Sequence, residues 1–290
     1  MKCIDLHVHS TASDGTLTPT ELVDYAASKE VTAFALTDHD TVAGVGEALL
    51  RGKEKNVEVI PGIELSCSYQ NHELHILGFF LSYEDEALLE ALDTLKKNRE
   101  KRNLEMIKRF NEDNIPITLS MLQKGNPNTV ITRAHFARCL MELGIVKTKD
   151  QAFRTYVGDS CPYYIMREKI TPEYALSVIH NAGGIAFLAH PLLSHLSYQE
   201  IEVFVSTYKD KGLDGIEVHH SSNHALESSR LKDIALSHGL VYSGGSDFHG
   251  ANKPDIEIGS GRGGLFLSPS LLEDLKLYYE RKNLNYGTNL

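Results

Sequence analysis

Apolar and polar positions along the chain alternate between two rhythms. Short apolar runs end abruptly in polar residues at MKCIDLHVH (1–9), TAFALTDHD (32–40), GGIAFLAHP (183–191), DGIEVHH (214–220) and LVYSGGSDFHG (240–250). Between them lie helical patterns such as TELVDYAASKE (20–30), TVAGVGEALLRGKEKN (41–56), QEIEVFVSTYKDKG (199–212) and SRLKDIALSHG (229–239). The first helix carries its own start signal, Thr18 before Pro19 with Glu21 three residues on, the pattern of a capping box with proline in the first turn. VEVIPGIELSCSY (57–69) and HELHILGFFL (72–81) add two further apolar runs. Strands alternating with helices predict an α/β fold with parallel strands, and so long a series predicts a barrel-like closure. Polar residues gathered at strand ends then mark the mouth of the barrel.

Residues from about 86 to 168 break this rhythm. EALLEALDTLKKNREKRNLEMIKRFNEDN (86–114) is one long charged helical pattern, followed by PITLSMLQKG, the helix TRAHFARCLMELG and a helical piece around KTKDQAFRTYVG. The division expected is a discontinuous barrel, 1–100 and 169–290, with a mostly helical insertion at 101–168 over the mouth.

Composition narrows the classes. The 290 residues are 42% hydrophobic and 23% charged, an ordinary globular mix. Twenty-nine basic against thirty-nine acidic residues leave a formal charge of −10, which argues against duplex nucleic acid or an anionic membrane as partner. Four dispersed cysteines (Cys3, Cys67, Cys139 and Cys161) form no C-x-x-C, so neither a disulfide framework nor a thiolate zinc site is expected. No apolar leader opens the chain and no run of eighteen apolar residues occurs, so a cytoplasmic location is the expectation.

The fourteen histidines change the picture. His7 and His9 alternate along a strand and so face the same side. Asp14 follows in a polar turn. His39, His190, Asp247 and His249 stand where an apolar run turns polar, Glu64 follows Pro61-Gly62-Ile63, and His75 sits in His-Ile-Leu-Gly. Together these nine N and O donors, without sulfur, suit Zn, Mn or Fe better than calcium. They are too many for one ion and enough for two or three. An isolated H-x-H is usually a chance pair, but several unpartnered charges at one barrel mouth would be costly. Their recurrence in register therefore favours a metal cluster. His219 ends the strand DGIEVHH facing the same mouth, and His220, one residue on, is expected to point away.

HVHSTASDGTLTP, TDHD, PGIELS, HILG, LAHP and GGSDFHG, in this order from residue 3 to about 250, resemble the successive motifs of the polymerase-and-histidinol-phosphatase (PHP) family of metal-dependent phosphoesterases. The resemblance implies a distorted (β/α)7 barrel and three divalent ions. It assigns His7, His9, Glu64 and Asp247 to one ion. Glu64 would bridge to a second, bound by His75 and His190, and Asp14, His39 and His249 would hold a third. ITRAHFARCLMELG, the Tyr-Tyr pair before Arg167 and ITPEYALSVIHNAGGIAFLAHP are similar to the branch acting on small nucleotides. Met166 departs from it, where a proline is expected before the arginine. Arg133, at the start of a helix capped by Thr132, becomes a candidate phosphate contact. His135 is a candidate for the same role, or for packing or a hydrogen bond at the third helical position.

The function expected is hydrolysis of phosphate monoesters of small nucleotides, of the nucleoside 3′,5′-bisphosphate or AMP type, by a metal-bridging hydroxide. His219 is the candidate acid. The alternatives are a 5′-to-3′ exoribonuclease on short RNA and a histidinol-phosphate phosphatase. A non-catalytic sensor would not need so complete a ligand set, and an amide or lactone hydrolase on a similar barrel would lack the arginine-bearing insertion.

Overall fold

The computed structural model describes residues 2–70, 72–158, 161–165 and 170–287. The barrel opens with β1 (Cys3–Val8), α1 (Pro19–Ser28), β2 (Val31–Leu36), α2 (Val45–Lys55), β3 (Glu58–Tyr69) and β4 (His72–Phe79). It resumes with α7 (Pro172–Asn181), β5 (Ile185–Leu188), α8 (Tyr198–Tyr208), β6 (Gly215–His220), α9 (Ala225–Ser237), β7 (Val241–Gly245) and α10 (Pro269–Gly287). Between these parts come α3 (Glu86–Glu112), α4 (Leu119–Gln123), α5 (Arg133–Glu142) and α6 (Lys149–Ala152). The expected cap is present: the Thr18 hydroxyl accepts from the Glu21 amide, and Glu21 accepts from the Thr18 N–H.

The seven strands lie side by side in chain order. All neighbours are parallel except β4, which runs against both β3 and β5. The two edges meet near the mouth, where the Asp247 N–H donates to the His7 carbonyl (2.9 Å) and the His9 N–H to that of Phe248 (3.0 Å). A nearly closed seven-stranded barrel results, as expected, and closure removes the exposed edges of an open sheet. Gly245 is required at this seam, since a Cβ there would sit 2.2 Å from that of His7.

Alternate residues of β2 show which way each face points. Phe34 and Leu36 join the layer packed by α1 and α2, with Leu22 and Val45. Ala33 and Ala35 join Ile4, Leu6, Leu77, Phe79 and Phe187 from the other strands, and Leu272 and Leu275 of α10 pack with them. A third cluster, holding Met106, Phe110, Phe136, Leu140 and Val157, is the core of the inserted helices. Helix α3 joins two of these layers: Leu88, Leu92 and Leu95 pack on the barrel layer, Met106 and Phe110 in the inserted core. The expected boundary at 100/101 thus falls inside one continuous helix. Among the described residues, no helix is long and apolar enough to cross a membrane.

Candidate metal centre

All nine expected donors converge at the barrel mouth. Glu64, fully buried near the middle of β3, lies at their centre. Its Oε2 is 3.3 Å from His7 Nε2, 3.2 Å from His9 Nε2 and 3.0 Å from His39 Nδ1. Its Oε1 is 2.7 Å from His75 Nδ1 and 2.8 Å from His190 Nε2. On one side Asp247 Oδ1 lies 3.5 Å from His9 Nε2 and 3.3 Å from His249 Nδ1. On another, Asp14 Oδ1 lies 3.2 Å from His249 Nε2 and 3.8 Å from His39 Nε2. Among the described residues, four donor groups are close enough to hold a metal ion: His9, Asp14, His39 and His249; His7, Glu64 and His190; His7, His9 and Asp247; and His39, Glu64 and His75.

The backbone around the site is tightly specified. Asp247 and His190 hold φ of +60° and +24°, conformations that cost a side-chain-bearing residue of order 1–3 kcal/mol and persist only when the surroundings enforce them. Asp38 accepts from the Ser10 amide and from the Ser10 and Ser13 hydroxyls at 2.6–2.8 Å, fixing the turn that presents Asp14.

A cation would complete this cradle. His7 Nε2, His9 Nε2, Asp14 Oδ1, His39 Nδ1 and Glu64 Oε2 are all buried without a hydrogen-bond partner, a state that buried polar atoms ordinarily avoid. The electrostatics agree. Burial alone would lower the His9 imidazole, yet the adjacent carboxylates of Asp247 and Glu64 carry it up to about 9. His75 is likewise opposed by burial and raised to about 9 by Glu64. Burial and the neighbouring His9 push His249 down to about 3. Glu64 stays well below the usual carboxylate range because the charges of His39, His75 and His7 outweigh its burial. The imidazoles raised beside Glu64 mark the same demand for positive charge that divalent ions would meet.

Two residues of this centre lie beyond the nine expected donors. The buried carboxylate of Glu217 places Oε1 2.9 Å from His7 Nδ1, while its Oε2 accepts from the backbone N–H of His190 (2.8 Å). It therefore fixes which His7 nitrogen faces the donor cradle and secures the strained residue opposite, as a carboxylate behind a metal-binding histidine would. His220 is the second. Strand alternation puts His219 inward and His220 outward, and the structure reverses this. A register shift between Glu217 and His219 adds one residue to β6, and a bulge of that kind flips the faces beyond it. His220 is 3% exposed, with Nε2 3.4 Å from Asp247 Oδ2. His219 instead packs on the Tyr242 ring, 5.9 Å between centroids, and lines a separate outer cleft. The expected role of His219 as acid and phosphate contact is corrected accordingly.

Beside the metal cradle lies a cavity of about 140 Å³ lined by Asp14, His39, His75, Arg99, Arg102 and Arg133, with Phe153 and Tyr164 on its outer wall. Arg133, expected here, opens α5 behind the Thr132 cap and lies 2.9 Å from Glu73 Oε2. Thr132 also donates its hydroxyl to Asp14 (2.8 Å), which ties the inserted helices to the metal centre. His135 does not line this cavity. Its Nδ1 accepts from the Thr132 N–H (3.0 Å), and burial lowers its pKa to about 4, so the hydrogen-bonding alternative holds over phosphate contact. Arg99 and Arg102 were not singled out by the sequence reading. Each is nearly buried, and Arg99 pairs with Asp40. Met166 and Arg167 lie outside the described residues.

Comparison with known proteins agrees with the geometry. Residues 5–115 match the PHP domain. The chain is 36% identical over 248 residues to a 5′-3′ exoribonuclease of Haemophilus influenzae, covering 86% of this chain and 90% of that one. It is 34% identical to a 3′,5′-nucleoside bisphosphate phosphatase of Chromobacterium violaceum, covering 89% and 91%. The fold superposes with a TM-score of 0.82 on a protein of Bifidobacterium adolescentis provisionally assigned as a metal-dependent phosphoesterase, at 30% identity over 93% and 94% of the two chains.

Proposed function

Because the chain belongs to the PHP family of metal-dependent phosphoesterases, we propose that it removes phosphate from small nucleotides, namely nucleoside 3′,5′-bisphosphates or 5′-nucleotides. The observation that carries this reading is the junction of the donor cradle with a cavity bearing three arginines. One holds divalent ions, and the other receives a phosphoryl group.

The convergence of the nine donors supports three ions. His7, His9, Glu64 and Asp247 would hold one. Glu64, His75 and His190 would hold the second, and Asp14, His39 and His249 the third. Mn, Zn and Fe all suit such N/O sets. When bound, these ions supply an activated water and positive charge for the phosphoryl oxygens. The protein's own part is placement. Arg99, Arg102 and Arg133 would offer planar donors to the phosphate from the cavity that Asp14, His39 and His75 also line. Glu217 keeps the His7 ring in one tautomer. Phe153 and Tyr164 give the rest of the nucleotide an apolar wall.

Exoribonuclease action on short RNA is the second reading, favoured by the similarity to the Haemophilus influenzae enzyme. Phosphate release from 3′-phosphoadenosine 5′-phosphate, AMP, histidinol phosphate and a 5′-phosphorylated RNA trimer, assayed in parallel with an Asp247→Asn control, decides between them. Release from the bisphosphate or AMP is the expected result. Mononucleotides liberated from the trimer in preference would select the second reading, and turnover of histidinol phosphate alone would exclude both.

A further inference from the structure

A cleft of about 740 Å³, lined by His219 and His220 at the end of β6, lies apart from the arginine cavity. Its walls come from three elements distant in sequence: His219 from β6, Ser229 and Lys232 from α9, and Arg262, Gly264 and Phe266 from the loop before α10. In a chain of net charge −10, not one of the described residues lining it is a carboxylate. Lys232 has no carboxylate partner among the described residues, and its ammonium rests 4.3 Å above the centre of the Tyr242 ring. Arg262 is fixed by Asp255 (2.7 Å) and by the Ser221 carbonyl (3.1 Å). Gly264 is open, with nothing within 4 Å of where a Cβ would stand, and Phe266 is 52% exposed. A fixed guanidinium, an ammonium, hydroxyls and an accessible glycine backbone are the donors that bind a tetrahedral oxyanion. An exposed ring at the rim suits the base of a nucleotide.

We propose that this cleft is a second phosphate site, separate from the arginine cavity and independent of which phosphoester is cut. Two sources carry that chemistry: inorganic phosphate, and the distal phosphate of an oligonucleotide. Equilibrium dialysis of the full metal-loaded protein against radiolabelled inorganic phosphate tests it. Two classes of site are expected, one lost in Arg133→Ala and the other weakened tenfold or more in Lys232→Glu but kept in Lys232→Arg. Thermal unfolding checks that each variant folds. Should Lys232→Glu be unstable, Ser229→Asp places a carboxylate in the same cleft and must give the same loss. The KM of the 5′-phosphorylated RNA trimer separates the sources: a rise relative to that of AMP in Lys232→Glu identifies the oligonucleotide phosphate, and an unchanged ratio with lost phosphate binding identifies the free anion. A single class of site, removed entirely by Arg133→Ala, or two classes that both survive Lys232→Glu, would overturn the proposal.

Discussion

The metal cradle and the arginine cavity share Asp14, His39 and His75 as a common wall, yet they are assembled by opposite means. The cradle draws its donors from the strands, Glu64 and His75 from within β3 and β4, and from the turns that follow strand ends, where a closed barrel dictates direction and spacing. The arginines come from two helices outside the barrel, α3 and α5. One half is set by strand geometry and, in the function proposed, handles phosphorus. The other is set by helix packing and, in that proposal, selects what is attached to it. Chemistry and selectivity should therefore separate under mutation.

The largest break is expected in the cradle. Asp247→Asn should lower turnover of every phosphoester on the order of a thousandfold, p-nitrophenyl phosphate and AMP alike, with ion content by mass spectrometry falling in parallel. Arg102→Ala should behave differently, costing roughly tenfold to a hundredfold in kcat/KM for AMP as charged hydrogen bonds are lost. Most of that should appear in KM, with p-nitrophenyl phosphate less affected. Equal losses on both substrates would erase the division. Glu217→Gln should sharpen it from the other side, weakening metal retention about tenfold during dialysis, at the low end for a partner behind a metal ligand. An unchanged ion content would show that His7 needs no such support.

The smallest effect belongs to the inserted helices alone. His135 has a folded pKa of about 4 against an ordinary 6.5, so below pH 6.5 the unfolded chain binds the extra proton. Stability should be full above about 6.5 and fall, by on the order of 2 kcal/mol, as pH drops towards 4. His135→Asn should flatten that slope in denaturant titrations between pH 4 and 7.

How legible each half was follows from the same contrast. Most donors were readable because strands impose a period of two and several apolar runs stopped at a histidine or carboxylate. His219 was misplaced because one inserted residue in β6 inverts that period, and nothing in Glu217-Val218-His219-His220 marks a bulge. Arg99 and Arg102 were hidden in a helix rich in charge, although a signal existed. The buried stripe of α3 runs Leu88, Leu92, Leu95, Arg99, Arg102, Met106, Phe110, so the two arginines occupy places that helical periodicity reserves for apolar side chains. Glu217, alone in an apolar strand, carried a weaker signal of the same kind.

The reversed strand β4 has a consequence for how such enzymes diversify. Because it runs down rather than up, the chain leaves the sheet at the end remote from the metals, and the 27 residues of α3 carry it back about 40 Å. It rejoins the barrel at Ile170, bridged to Cys67 of β3, before α7 descends. Everything between is a detour with two fixed anchorages. A lineage can lengthen, shorten or replace that detour, and so trade one substrate for another, while every ion-binding side chain stays where the sheet put it.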